Sequence, residues 1–149
     1  MSKVKFIYAT GGGNTELVCE KVAVMLKNAG HEPDLLKAKL TDGANLGEYD
    51  VLVFACPTYG QGELEPYFTK FLSTCENVDF NGKKCSVIAL GDIKYGADHV
   101  LAAEKIITEF LEGKGAQIIM RPLKIANSPI LYLDTLITTW SEEFVNILK

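Results

Sequence analysis

The sequence predicts an α/β fold: a single domain, residues 1–149, whose parallel sheet is covered on both faces by helices. Three observations carry this. Short β-rich runs alternate along the chain with longer segments of helical periodicity. One run, Val51-Leu52-Val53-Phe54-Ala55-Cys56, is apolar throughout, as strands buried on both faces are. The chain has 149 residues, 48% hydrophobic and 23% charged, ordinary values for one soluble domain. Those values exclude intrinsic disorder, collagen-like sequence and coiled coil.

The elements follow in order. Val4 to Ala9 reads as the first strand. Asn14 to Ala29 reads as a helix with Leu17, Val18, Val22, Met25 and Leu26 on one face, stopped by Gly30. His31 to Lys37 is a weaker second strand, and Val51 to Cys56 is the third. Phe68 to Cys75 is helical, with Phe68, Phe71 and Leu72 as its stripe. Cys85 to Leu90 is the fourth strand. His99 to Glu112 is a helix with Leu101, Ile106, Phe110 and Leu111 inward. Ala116 to Met120 is the fifth strand, which Arg121-Pro122 allows to bend. Leu131 to Leu148 is the last helix, carrying Leu133, Leu136, Ile137, Trp140, Phe144 and Ile147. Each parallel connection needs a crossover, and the helices supply it.

Charge narrows the function. Fifteen Lys and Arg against 19 Asp and Glu give a net charge of −4, which argues against a nucleic-acid binder. Arg121 is the only arginine, so a phosphate ligand must be held without a bidentate clamp. The four cysteines, Cys19, Cys56, Cys75 and Cys85, form no C-x-x-C pair and no zinc spacing, and are expected as reduced structural thiols. Cys56 stands apart because it ends a strand beside a glycine-rich loop. No apolar run approaches the ~20 residues of a membrane span, and the first residues lack a signal-peptide core, so the cytoplasm is expected.

In open parallel sheets ligands sit beyond the carboxyl ends of the strands. Three loops lie there. The first is Thr10-Gly11-Gly12-Gly13-Asn14-Thr15-Glu16, between the first strand and the first helix. Glycines let the backbone approach an anion closely, and the helix start supplies unpaired N–H groups. Thr10, Asn14 and Thr15 add side-chain donors. Neither G-x-x-x-x-G-K-[ST] nor G-x-G-x-x-G is present. The loop suits a terminal phosphate held by neutral donors.

The second loop is Cys56-Pro57-Thr58-Tyr59-Gly60-Gln61-Gly62-Glu63. A flat aromatic ligand can stack on Tyr59. The third is Leu90-Gly91-Asp92-Ile93-Lys94-Tyr95-Gly96-Ala97-Asp98-His99. Tyr59 and Tyr95, on neighbouring loops, can sandwich a planar ring. His99 reads first as a surface or capping residue. A phosphoacceptor domain of this fold would need acidic residues after the first strand and an aspartate ending the third, and Thr10-Gly11-Gly12 and Cys56-Pro57 stand there. A phosphatase loop C-x-x-x-x-x-R is also absent.

Thr10 to Glu16, Thr58-Tyr59-Gly60, and Gly91-Asp92 followed by Tyr95 together resemble the three flavin loops of the flavodoxin family, in its short-chain form, and the resemblance spans nearly the whole chain. It implies a flavodoxin-like doubly wound five-stranded parallel sheet of order 2-1-3-4-5, non-covalent FMN, and one-electron transfer without substrate turnover. Thr10, Gly11, Gly12, Gly13, Asn14 and Thr15 would hold the phosphate. Pro57, Thr58, Tyr59, Gly60, Gln61, Gly62, Leu90, Gly91, Asp92, Tyr95 and His99 would line the ring, with Tyr59 and Tyr95 on its two faces. The Gly60 peptide would turn on reduction so that its carbonyl accepts from the flavin N5–H.

Gly12 replaces a threonine usual in the family, Gln61 a common acidic residue, and Lys94 adds a cation to the second ring loop. One charge ~10 Å away is worth roughly 1–2 kcal/mol at an effective dielectric of 20. About 1.4 kcal/mol corresponds to about 59 mV for one electron. The potential of the fully reduced state is thus expected less negative than in a more acidic relative. Partners implied are redox proteins, a flavodoxin or ferredoxin reductase and an acceptor. They would dock transiently on a monomer, a basic patch facing Glu63, Glu65, Asp92 and Asp98. Two other readings of the resemblance are an NAD(P)H-dependent quinone reductase and a specialised activator of the kind that serves ribonucleotide reductase.

Overall fold

The computed structural model describes residues 1–60, 62–91 and 101–149. Among the described residues, seven strands and four α-helices follow in order: β1 Lys3–Tyr8, α1 Asn14–Asn28, β2 Glu32–Lys37, β3 Val51–Tyr59, β4 Glu63–Leu64, α2 Pro66–Ser73, β5 Lys84–Leu90, α3 Ala102–Gly113, β6 Gln117–Ile118, β7 Leu123–Ile125 and α4 Leu136–Ile147. The sheet order is β2-β1-β3-β5-β6, with β7 also pairing β5. All of these pairings are parallel. This is the expected 2-1-3-4-5 order, with the fifth position filled by two short strands.

The break in the fifth position has a local cause. β6 pairs the amino end of β5 at Lys84 and Cys85, and β7 pairs its carboxyl half from Ile88 to Leu90. Arg121-Pro122 lies between them, where proline offers no ladder N–H. The Arg121 carbonyl freed there accepts from Trp140 Nε1 at 2.9 Å, tying the break to α4. The Arg121 side chain pairs with Glu143 on the same helix at 3.0 and 3.1 Å. The one arginine is thus a structural strut. The sequence also gave no warning of β4, which folds back antiparallel on the end of β3.

The core has two halves, one on each sheet face. On one face Phe54 meets Phe68, Phe71 and Phe80 edge-on, with ring centroids 5.6, 5.6 and 6.3 Å apart. Ala103, Ile107 and Leu111 of α3 complete this half. On the other face Val18, Cys19, Val22 and Leu26 of α1 and Ile137, Trp140 and Phe144 of α4 cover Phe6, Val53 and Ile88. Each large side chain buried there contributes roughly 1.5–3 kcal/mol of transfer free energy.

Some helix faces are rotated from expectation. In α1, Cys19 and Ala23 are buried, whereas Leu17 and Met25 are only partly so. In α3, Ile107 points inward and Ile106 is 38% exposed. Leu131 is exposed in a short 3-10 turn, Pro129–Tyr132, so the last helix starts at Leu136, later than predicted. All four cysteines are free and buried, as expected. Among the described residues no helix is long and apolar enough to cross a membrane, and no cluster of metal-ligating side chains occurs.

Candidate functional site

The chain leaves β1 toward α1 and leaves β3 toward α2 on opposite sides of the sheet. Their loops diverge at the carboxyl edge, and a cleft of roughly 540 Å³ opens there. Thr10, Gly11, Gly12, Asn14, Thr15, Pro57, Thr58, Tyr59, Leu90 and Gly91 line it. All ten were singled out from the sequence. Asn127 and Ser128 line it as well and were missed. Their signal was present: an Asn-Ser-Pro turn follows β7, beyond the carboxyl end of the fifth sheet position.

Gly13 shapes this site through its backbone rather than by lining it. As the N-cap of α1 it sits at φ 91°, a left-handed conformation costly for any side chain. No side chain caps α1, so its first-turn N–H groups face the cleft with the positive end of the helix dipole. The Thr10 hydroxyl accepts from Gly13 N–H at 2.8 Å and keeps its own proton for a ligand. A Cβ on Gly11 would run into the Tyr59 hydroxyl, so only glycine lets that ring close over the loop.

Glu16 would oppose an anion at this helix start. Tyr8 restrains it by donating its hydroxyl to Glu16 Oε2 at 2.6 Å. Burial, and then this hydrogen bond, push the Tyr8 hydroxyl far above its usual range, so it stays a donor.

The second loop is anchored from across the molecule. Thr58 is buried, and its hydroxyl accepts from Ala103 N–H at 3.1 Å. That N–H belongs to the first turn of α3, which has no side-chain cap of its own. Thr58 therefore fixes the ring loop to the helix that follows the third loop. Tyr59 is 36% exposed at the mouth of the cleft, and burial, with Glu65 next, raises its hydroxyl pKa. Cys56 lies behind the loop, fully buried, with its thiol pushed up to about 12 chiefly by burial. The one thiol beside a glycine-rich loop is thus an inert core group.

Gly60 and Gly62, at φ 51° and 97°, shape the β3–β4 turn that follows Tyr59. Glu65 is a correction: expected on an acidic docking rim, it is 5% exposed and caps α2, accepting from Tyr67 N–H at 2.8 Å. Gln61, Asp92, Lys94, Tyr95, Asp98 and His99 lie outside the described residues.

The chain is similar to known proteins along most of its length. The family model described as Flavodoxin matches residues 6–140. The chain belongs to the flavodoxin family. "Flavodoxin" of Maridesulfovibrio salexigens is 36% identical over 132 residues, 87% of this chain and 89% of that one. "Probable flavodoxin 2" of Bacillus subtilis is 32% identical over 130 residues, covering 87% and 85%. The solved structure of oxidised Flavodoxin 2 from Bacillus cereus has TM-score 0.85 and 30% identity, covering 97% and 96%. Membership makes this an FMN-dependent electron-transfer protein rather than an enzyme that turns over a substrate.

Proposed function

We propose that the carboxyl-edge cleft is the FMN site and that the protein passes single electrons between redox proteins. The observation that carries this is the uncapped start of α1 behind a glycine turn, opening into the same cleft as Tyr59. One part of the cleft suits an anion and the other a flat ring. FMN bound there would supply the one-electron chemistry.

The chain's own groups divide the work. Gly11, Gly12 and the first turn of α1 offer N–H groups to the phosphate, with the hydroxyls of Thr10 and Thr15 and the amide of Asn14 beside them. Gly13 N–H is already given to Thr10 and serves the turn. Asn127 and Ser128 add polar side chains to the lining. Tyr59 covers one face of the ring, with Tyr95 assigned to the other, and shields it from water. Pro57, Leu90 and Gly91 also line the cleft. Gly60, at φ 51°, can present either side of its peptide because it carries no Cβ. Gln61, Asp92, Lys94 and His99 are assigned to the ring's rim, where Gln61 and Lys94 would make the potential of the fully reduced state less negative. A reductase and an acceptor protein are the partners of a monomer working in the cytoplasm.

The test is titration of the flavin-free protein with FMN. Quenching of flavin fluorescence at one equivalent, and reduction in two separate one-electron steps, support the reading. Failure to bind at micromolar FMN refutes it. Steady NAD(P)H oxidation by the protein alone would favour the quinone-reductase reading instead.

A further inference from the structure

The cleft continues into a path that the flavin does not need. A cavity of roughly 130 Å³ shares Thr10 with it and is also lined by Lys37, Lys39, Glu65 and Tyr67. Beyond it lies a groove of roughly 400 Å³, which shares Lys39 and Tyr67 and adds Leu40 and Lys70. The 3-10 turn Ala38–Leu40, the stretch from Thr41 to Asn45 and one side of α2 line the groove, while Lys37 at the end of β2 lines the smaller cavity.

The charge of this path opposes that of the whole chain. Net charge is −4, yet Lys37, Lys39 and Lys70 line the path. Its two carboxylates are engaged internally. Glu65 accepts from Tyr67 N–H at 2.8 Å, and Asp42 accepts from Asn45 N–H and Nδ2 at 3.0 Å. Among the described residues, no carboxylate forms an ion pair with any of the three lysines. Lys39 Nζ stands 6.0 Å over the Tyr67 ring. Tyr67 is 55% exposed and Leu40 is 76% exposed, so apolar surface lies between the cations.

We propose that this groove docks an acidic segment of a partner protein, with an apolar side chain seated against Leu40 and Tyr67 and carboxylates meeting Lys39 and Lys70. Charge complementarity argues for it, and so does continuity: an occupant of the groove ends beside Thr10, at the edge of the cofactor cleft. The electron-carrier reading is needed only to make that partner a redox protein. An extended polyanion fits less well, because three lysines do not offset the repulsion of the remaining acidic surface.

The test is a titration of the FMN-loaded, nitrogen-15-labelled protein with a short synthetic peptide of glutamate and aspartate around one leucine and one phenylalanine. Amide shifts confined to residues 37–41 and 67–74, saturating and weakened by added salt, are expected. The double variant Lys39→Glu, Lys70→Glu should lose roughly tenfold or more in peptide affinity, with flavin absorbance unchanged. Shifts elsewhere, or a double variant that binds as well as the parent, overturn the proposal. So does a lysine-rich peptide that moves the same amides. Tighter binding there of phosphatidylglycerol vesicles or of single-stranded DNA replaces the protein partner with a membrane or a nucleic acid, and overturns it too. Flavin absorbance and amide shifts are read separately, so a failure to hold FMN is told apart from a failure to dock.

Discussion

The two ends of the sheet use the same kinds of polar group in opposite ways. At the amino end they satisfy one another. Ser2 N–H donates to His31 Nδ1 at 3.0 Å, Lys3 N–H to Asp50 Oδ2 at 2.7 Å, and Asp50 N–H returns to the Lys3 carbonyl at 2.8 Å. Lys5 reaches the Leu46 carbonyl. At the carboxyl end the helix start is uncapped, and Thr10 and Asn14 face a cleft. Polar groups that close on each other stabilise the fold, and groups beside the glycine turn are left open to the cleft. The long-range bond from Thr58 to α3 lets the binding end stay open without coming loose.

The largest expected effect tests whether both ends are equally dry behind their polar groups. Cys56 sits toward the carboxyl end and Cys85 toward the amino end. Burial pushes each thiol up to about 12 from an ordinary 9.0, and Cys75 to about 11. Above about pH 9 the unfolded chain releases thiol protons that the native state keeps. Stability is therefore full below that pH and falls as pH rises, by up to about 1.4 kcal/mol per pH unit for each thiol. Urea unfolding between neutral and strongly alkaline pH reads this. A thiol reagent should find Cys56 as slow as Cys85. Faster labelling at Cys56 would mean that the cleft reaches the core.

Gly13→Val comes next. A β-branched residue at φ 91° is strained, at a cost of about 2 kcal/mol, so FMN affinity should fall roughly thirty-fold. Fluorescence titration measures it, and an unchanged affinity would remove the turn from the binding argument. Gly12→Thr should act in the other direction. Gly12 lies outside the left-handed region, and a Cβ there meets nothing within 4 Å. A new hydroxyl donor toward a charged phosphate is worth about 1.5 kcal/mol, roughly a tenfold tightening. No gain would show that the N–H groups already saturate the anion.

The smallest effect belongs to the amino end. His31→Ala removes the acceptor of Ser2 N–H and should cost about 1 kcal/mol of stability. Denaturation should register the loss while the FMN titration stays unchanged. A loss of flavin affinity would mean that the two ends are coupled through the sheet.

Much of this was legible in the chain. The all-apolar run at Val51 reads as a strand buried on both faces and is the inner strand β3, and the three glycines before a helical period read as an anion-binding turn. What stayed hidden depended on partners far away in sequence. The inward turn of Ile107 rather than Ile106 follows from how α3 lies on the sheet, and a neighbouring apolar pair does not reveal that. Glu65 reads as a surface acid until the start of α2 places it over its own backbone N–H. Asn127 and Ser128 read as a turn until β7 brings them to the cleft.

The sequence by itself determined the alternation of strands and helices, the glycine turn and the family, because local periodicity and backbone conformation are written in neighbouring residues. Only the tertiary structure decided that Thr58 would anchor α3, that the single arginine would brace a broken strand, and that Lys39 and Lys70 would line one groove. Each depends on residues brought together by burial of the two apolar faces, and burial acts at distances along the chain that no local pattern records.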